Sequence, residues 1–127
     1  MDKVPKLEDL ETWNKCRELR INFKTFTDKL PVEEKFRLKD QIVRASRSIT
    51  NNIAEGYGRF HFQENIQYLR QSRGSIYECV YHLYVSLDEG YLNKENFQKL
   101  YDECTICVKL INGYIRYLKT RKENSND

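Results

Sequence analysis

A stripe of polar side chains on one predicted helix in the middle of the chain holds the residues best suited to chemistry or recognition. Arginine, serine and asparagine dominate it, with a single carboxylate. Its members recur mainly at three- and four-residue intervals and are Arg37, Arg44, Ser48, Asn51, Asn52, Glu55 and Arg59. At about 100° of rotation per residue, they share an arc of roughly 100° beside the apolar face of the helix. Solvated helix faces are usually rich in Glu and Lys, so this polar stripe favours a packed or recognising surface.

A second group of candidate residues is cationic and lies towards the end of the sequence. This basic patch consists of Lys109, Arg116, Lys119, Arg121 and Lys122. Residues 31–59 hold six basic and four acidic side chains, residues 91–127 hold seven and five, and residues 60–90 hold two and four. The charge is therefore uneven along the chain, although the net charge is only +3. Such cations can contact phosphates without reading sequence; alternatively, they form salt bridges within the protein and a solvated face.

Metal chemistry is disfavoured by the positions of the nominal ligands. A tetrahedral zinc set would consist of Cys79, His82, Cys104 and Cys107. The apolar pattern places Cys104 and Cys107 on a core face but leaves Cys79 and His82 off theirs. A di-iron centre needs Glu three residues before His, and neither His61 nor His82 has it. We predict no metal and no cofactor.

Catalysis is disfavoured as well. The sequence contains no nucleophile elbow, Walker loop or dinucleotide motif. Glu55 is a general acid–base candidate, but an ion pair with Arg44 or Arg59 accounts for it better. We expect a protein that is not an enzyme.

Four long amphipathic helices must position these side chains. Pro31, Gly56 with Gly58, and Gly90 divide the chain, and apolar residues recur three or four apart in each piece. The predicted helices span residues 7–29, 32–56, 60–89 and 93–120, and residues 121–127 form a frayed tail. Helices of this length with short connections predict an all-α, antiparallel up-down-up-down four-helix bundle that forms one domain over residues 1–127.

Composition indicates the cellular setting. No apolar run approaches the roughly 18 residues that span a bilayer, and the first residues lack the apolar segment of a secretory signal. The four cysteines are expected to remain thiols. We therefore expect a cytoplasmic protein with no membrane partner.

Several sequence blocks carry a family resemblance. The blocks are Leu30-Pro31-Val32-Glu33-Glu34, the run from Gln41 to Arg59 with its Asn52-Ile53-Ala54-Glu55-Gly56-x-Gly58-Arg59 end, Glu64, Tyr68-Leu69, Arg73-Gly74-Ser75, Glu78 and Gly90-Tyr91. With them the chain resembles the four-helix bundle proteins of intervening sequences in bacterial 23S ribosomal RNA genes. The resemblance implies an up-down bundle that forms a homo-oligomer, with a ring of five as the expected assembly. The family is also distantly similar in fold to accessory proteins of diversity-generating retroelements, which bind a reverse transcriptase and are proposed to contact nucleic acid.

Two functions follow as expectations. The first is a non-enzymatic oligomeric binding module for RNA, a nucleoprotein or a nucleic-acid-processing protein. The second is a protein–protein scaffold in which the polar stripe is structural and nucleic acid plays no part. Tyr77, Tyr81 and Tyr84 recur on one helix and favour a subunit interface over base stacking, and Gly74 suggests a backbone passing close to that helix.

Overall fold

The computed structural model describes residues 3–125 and contains four long helices. They are α1 (Glu11–Thr27), α2 (Leu38–Gly58), α3 (Phe62–Asp88) and α4 (Lys94–Glu123). Each helix packs against its neighbour along the chain, and α4 closes the bundle against α1. No strand occurs within residues 3–125. The predicted all-α four-helix bundle is confirmed.

The first two helices start later than the periodicity predicts. A single 3-10 turn at Leu7–Asp9 precedes α1, and Leu10 between them is extended at φ −89° and ψ 110°. A second 3-10 turn at Val32–Glu34 follows Pro31, but α2 begins only at Leu38. The backbone of Arg37, at φ −122° and ψ −101°, separates that turn from the helix. The predicted ranges 7–29 and 32–56 therefore each merge a short turn with a helix.

The ends of the last two helices also differ from prediction. Helix α3 begins at Phe62 instead of residue 60, because Phe60 has a positive φ of 53° and interrupts the helical path. Helix α4 continues to Glu123, so residues 121–123 of the predicted frayed tail are helical, and Asn126 and Asp127 lie outside the described residues. Asn93 caps α4, accepting a 2.8 Å hydrogen bond from the Asn96 amide.

The core joins all four helices along the bundle. Its fully buried large side chains include Leu19, Phe23, Ile42, Ile49, Ile53, Ile66, Leu69, Ile76, Leu83 and Ile111. Trp13, Val80 and Val108 have apolar side chains at core spacing but are only half-buried at its edge. Burial of one Leu or Ile side chain stabilises a fold by about 1.5–3 kcal/mol, so this set accounts for the association of the four helices.

Within the described residues, no helix contains a stretch both long and apolar enough to cross a bilayer.

Candidate functional site

Two members of the polar stripe are structural. Asn52 Nδ2 donates to the Ser48 carbonyl oxygen at 2.9 Å and to Ser48 Oγ at 3.0 Å. Ser75 Oγ of α3 donates to Ser48 Oγ at 2.9 Å, and the buried Ser72 Oγ donates to the Ile49 carbonyl at 2.8 Å. The Ser75 and Ser72 hydrogen bonds hold α2 against α3 along a seam, whereas the Asn52 amide bonds within α2. Both Ser48 and Asn52 are therefore hydrogen-bonded inside the fold.

Gly56 continues this seam at a point where α2 lies close against α3. A Cβ atom built on Gly56 would lie 2.8 Å from Tyr68 Cβ, 2.9 Å from Asn65 Oδ1 and 3.2 Å from the Asn65 carbonyl oxygen. The glycine therefore permits a helix approach that any other residue would obstruct, and it sets the position of Tyr68 beside the end of α2.

The rest of the polar stripe is exposed. Arg44 pairs with Asp40 at 3.1 Å, while Asn51 and Glu55 face solvent and Arg37 lies just before α2. Glu55 has no basic group within 4 Å among residues 3–125, which corrects the predicted ion pair with Arg44 or Arg59. Asp40 lies one turn before Arg44 and pairs with it, whereas Glu55 lies about three turns after Arg44 on α2. The stripe is thus not one continuous site.

Arg59 contacts an aromatic side chain of α3 instead of another residue of the polar stripe. Its Nη2 donates to Tyr68 Oη at 2.8 Å, and its guanidinium carbon lies 5.3 Å from the Tyr68 ring centroid. Arg59 is exposed and forms no ion pair in the described part of the chain. It presents a cation fixed on a ring at the turn between α2 and α3.

The basic patch of α4 is fully exposed. Lys122 Nζ donates to Gln63 Oε1 at 2.7 Å, and the Arg121 guanidinium carbon lies 6.0 Å from the Tyr117 ring centroid. Within residues 3–125, none of the five basic side chains has a carboxylate within 4 Å. The alternative that these cations form internal salt bridges is therefore not realised, and their charge remains available to an anion.

An aromatic cavity lies at the same end of the bundle and was not predicted. This end cavity has a volume of about 300 Å³ and is lined by Pro5, Tyr57, Phe60, His61, Phe62, Asn65, Tyr114 and Leu118. Its walls come from the N-terminal segment, the α2–α3 turn and α4. The cluster of aromatic residues between positions 57 and 62 can be seen in the sequence. That α4 would pack opposite this cluster could not be predicted from it.

Polar groups inside the end cavity are few. Asn65 Nδ2 donates to Tyr114 Oη at 3.3 Å, and burial raises the pKa of Tyr114 above its usual value, with the Asn65 hydrogen bond acting in the opposite direction. His61 Nδ1 accepts from the Glu64 amide at 3.4 Å and so caps α3. The tyrosine hydroxyl therefore stays protonated at neutral pH and can act as a donor.

The nominal zinc ligands are placed differently from the prediction. Cys79 and His82 are buried in the core, although the apolar pattern placed them off it. Cys104 and Cys107 are buried in the core as predicted. Burial raises the pKa of Cys79 to about 12, and burial also raises the pKa of Cys104. No group of three or more His, Cys, Asp or Glu side chains in the described range has the geometry of a metal site. The thiols fill the core as small apolar groups.

Comparison with known proteins identifies the relationship. The family model described as 23S rRNA-intervening sequence protein matches residues 8–113. The chain belongs to this family. The match ends within α4, so the intervening-sequence family segment includes Lys109 but not the basic side chains from Arg116 onwards.

A solved structure supports the fold of this intervening-sequence protein. It is a protein of unknown function from the S23 ribosomal protein family of Bacteroides thetaiotaomicron VPI-5482, with a TM-score of 0.77 and 24% sequence identity. The likeness covers 83% of this chain and 95% of that one, and it shows a shared fold. No curated protein sequence matches the chain.

Proposed function

We propose that this protein is a non-enzymatic, homo-oligomeric helical bundle that binds RNA, alone or within a nucleoprotein, in the cytoplasm. The observation that carries the proposal is the basic patch of α4, whose five exposed cations have no carboxylate partner within residues 3–125. Arg59 adds a further cation held on Tyr68. The buried thiols suit a reducing compartment.

Phosphate binding by this patch has a calculable salt dependence. For single strands, each neutralised phosphate contributes about 0.7 to the slope of log affinity against log salt. If all five cations of the patch engage, raising salt from about 50 to about 200 mM weakens binding roughly 100-fold. Self-association would repeat the patch and steepen this dependence.

Self-association is supported by one face of α3. Tyr77 and Tyr81 are exposed at 59% and 64%, and a Cβ atom on Gly74 would meet nothing within 4 Å. Inside a helix, glycine costs about 1 kcal/mol relative to alanine, and the described residues provide no close contact to explain it. We propose that a second copy of the chain packs here, with the tyrosine hydroxyls at the edge of the contact.

The scaffold hypothesis is favoured by one separate observation. Ser48 and Asn52 bind Ser75 and the α2 backbone in place of any ligand. Under this alternative, the outward face formed by Arg44, Asn51 and Glu55 contacts a protein. An oligomer that binds no RNA would favour this alternative.

The test is a fluorescence-anisotropy titration of nuclease-treated protein with single-stranded and duplex RNA at about 50 and 200 mM salt. The informative variant is Arg116→Ala with Lys119→Ala, and its matched control is Lys94→Ala with Lys99→Ala, at the opposite end of the same helix. We expect the first pair to lower affinity about 10-fold and flatten the salt slope by about 1.4, with no change from the control. Absence of binding at tens of micromolar at the lower salt, or equal losses from both pairs, would overturn RNA binding.

Self-association is tested separately by sedimentation velocity. Tyr77→Glu with Tyr81→Glu places charge on the exposed face without touching the core and should shift the oligomer towards monomer. Glu substitutions at Ile21 and Ile106, which are also exposed, are the matched control. A monomeric wild-type protein, or an oligomer indifferent to the tyrosine pair, would refute this part of the proposal.

A further inference from the structure

The proposed binding of phosphates by the basic patch gives no role to the end cavity. Resting on the proposed RNA binding, we infer that this cavity takes one unpaired base of single-stranded RNA. The basic patch and Arg59 would hold the phosphates on either side, and the cavity would hold the base between aromatic rings.

The lining suits a flat aromatic ligand. Tyr57, Phe60, Phe62 and Tyr114 all contribute rings to a cavity of about 300 Å³. Every nucleobase has a π-face, so stacking on aromatic side chains holds unpaired bases with little regard to sequence. A base within a duplex is already stacked and paired, so the cavity distinguishes single-stranded from double-stranded RNA.

Phe60 takes a left-handed conformation at the turn that joins α2 to α3. Its φ of 53° lies in the left-handed region that non-glycine residues rarely adopt, and 72% of the residue is exposed. Strained backbone of this kind clusters at ligand clamps, where the surrounding structure maintains it. In this protein it holds an apolar ring in solvent at the wall of the cavity, where a base would cover it.

One polar group inside the cavity can contact the edge of a base. Tyr114 Oη accepts from Asn65 Nδ2 at 3.3 Å and donates to no acceptor within residues 3–125. Its proton is therefore available to a carbonyl oxygen or ring nitrogen of the base. The Tyr117 ring is 6.2 Å from the Tyr114 ring and carries Arg121 beside it, which extends the surface away from the cavity.

Charge around the end cavity favours a nucleic-acid occupant over an apolar peptide. Lys122 lies against Gln63 beside Phe62 at one side, and Arg59 lies on Tyr68 at the α2–α3 turn. The acidic Glu64 lies beside one lining residue, 3.8 Å from His61 Nδ1. A base flanked by two phosphates matches an aromatic cavity flanked by two cations.

The experiment uses a single-stranded RNA of about ten nucleotides with one internal 2-aminopurine, and a duplex of the same length. Stacking of the base analogue quenches its fluorescence, whereas anisotropy of an end label reports binding. The variant is Phe60→Leu, which keeps an exposed apolar side chain but removes the ring. The matched control is Phe36→Leu, because Phe36 is 83% exposed and lies before α2, away from the cavity.

We expect wild-type protein to quench the analogue and Phe60→Leu to weaken single-strand binding about 10-fold, with duplex binding and the salt slope unchanged. Phe36→Leu should match wild type, and far-UV circular dichroism should be the same for all three. Salt-dependent RNA binding without quenching, or with no loss in Phe60→Leu, would overturn the base site but leave the proposed function standing. No RNA binding by wild type would overturn both.

Discussion

Replacement of Gly56 by alanine tests the close approach of α2 to α3. The new Cβ would lie 2.8 Å from Tyr68 Cβ and 3.2 Å from the Asn65 carbonyl oxygen. Both obstacles are attached directly to the α3 backbone, so no flexible side chain can move aside. Helix α3 must therefore shift away from α2, and the seam that includes the Ser72 hydrogen bond to Ile49 must loosen.

Two opposing terms set the magnitude. Overpacking of a well-packed site typically costs about 1–3 kcal/mol, and the backbone contacts place this site towards the upper end. Alanine recovers about 1 kcal/mol of helix propensity relative to glycine. The net expectation for Gly56→Ala is a loss of about 1–2 kcal/mol in the free energy of unfolding. For a chain of this size that corresponds to a fall in Tm of roughly 3–10 °C.

Guanidinium denaturation followed by far-UV circular dichroism measures the effect, and Gly58→Ala is the matched control. Gly58 lies two residues away in the same helix, and a Cβ there would meet nothing within 4 Å. The control should be neutral or stabilised by up to about 1 kcal/mol. If Gly56→Ala proved as stable as Gly58→Ala, the close α2–α3 crossing would be wrong.

Three further predictions concern charge, thiols and self-association. Hydrogen bonds from Lys24 and Lys39 lower the pKa of Asp28, so its contribution to stability is present above the unfolded pKa of about 3.9 and is lost as pH falls through the folded value. Asp28→Asn should therefore lose less stability than wild type between pH 7 and pH 3. Urea midpoints of the two proteins at these pH values measure the loss, and an equal loss in both would contradict the pairing. All four thiols, including Cys79, are buried, so a thiol reagent should label them only after unfolding, and rapid labelling of the folded protein would contradict the packing. Gly74→Ala should raise the helix stability of the monomer by about 1 kcal/mol yet weaken self-association in sedimentation, whereas tighter association would argue against a second copy on this face.

The fold was predictable because each helix has one clear apolar stripe and because proline or glycine marks the connections between helices. Helix boundaries were less predictable where single residues leave helical geometry, as Arg37 and Phe60 do. Neither is a glycine or proline, so their types carry no warning. Their conformations depend on how the turns meet the rest of the bundle.

The buried arc of α3 shows a second limit of periodicity. This helix packs against both α2 and α4, so its buried face is wide and includes the polar Ser72, His82 and Ser86. An apolar stripe alone underestimates such an arc, which is why Cys79 and His82 were placed off the core. Ser72 can lie in the core because α2 supplies its hydrogen-bond partner, the Ile49 carbonyl, whereas Ser86 donates to the His82 carbonyl within α3.

The candidate site was only partly predictable for a related reason. The residues of the basic patch all lie on α4, so the sequence alone was enough to group them. The end cavity draws its walls from three segments, with Pro5 and Tyr114 more than a hundred residues apart in sequence. Such a cavity depends on tertiary packing, and neither composition nor periodicity encodes it locally.

The α2–α3 seam also has a consequence for the order of folding. Its hydrogen bonds join residues 23 and 27 positions apart, whereas the Asn22–Glu103 contact between α1 and α4 spans 81 positions. Closing a short loop costs less entropy than closing a long one, and local contacts form faster. The α2–α3 hairpin should therefore nucleate the bundle, and the α1–α4 contact should form last and open first. Exchange of a terminal helix between two copies is thus the misassembly to which this architecture is most exposed.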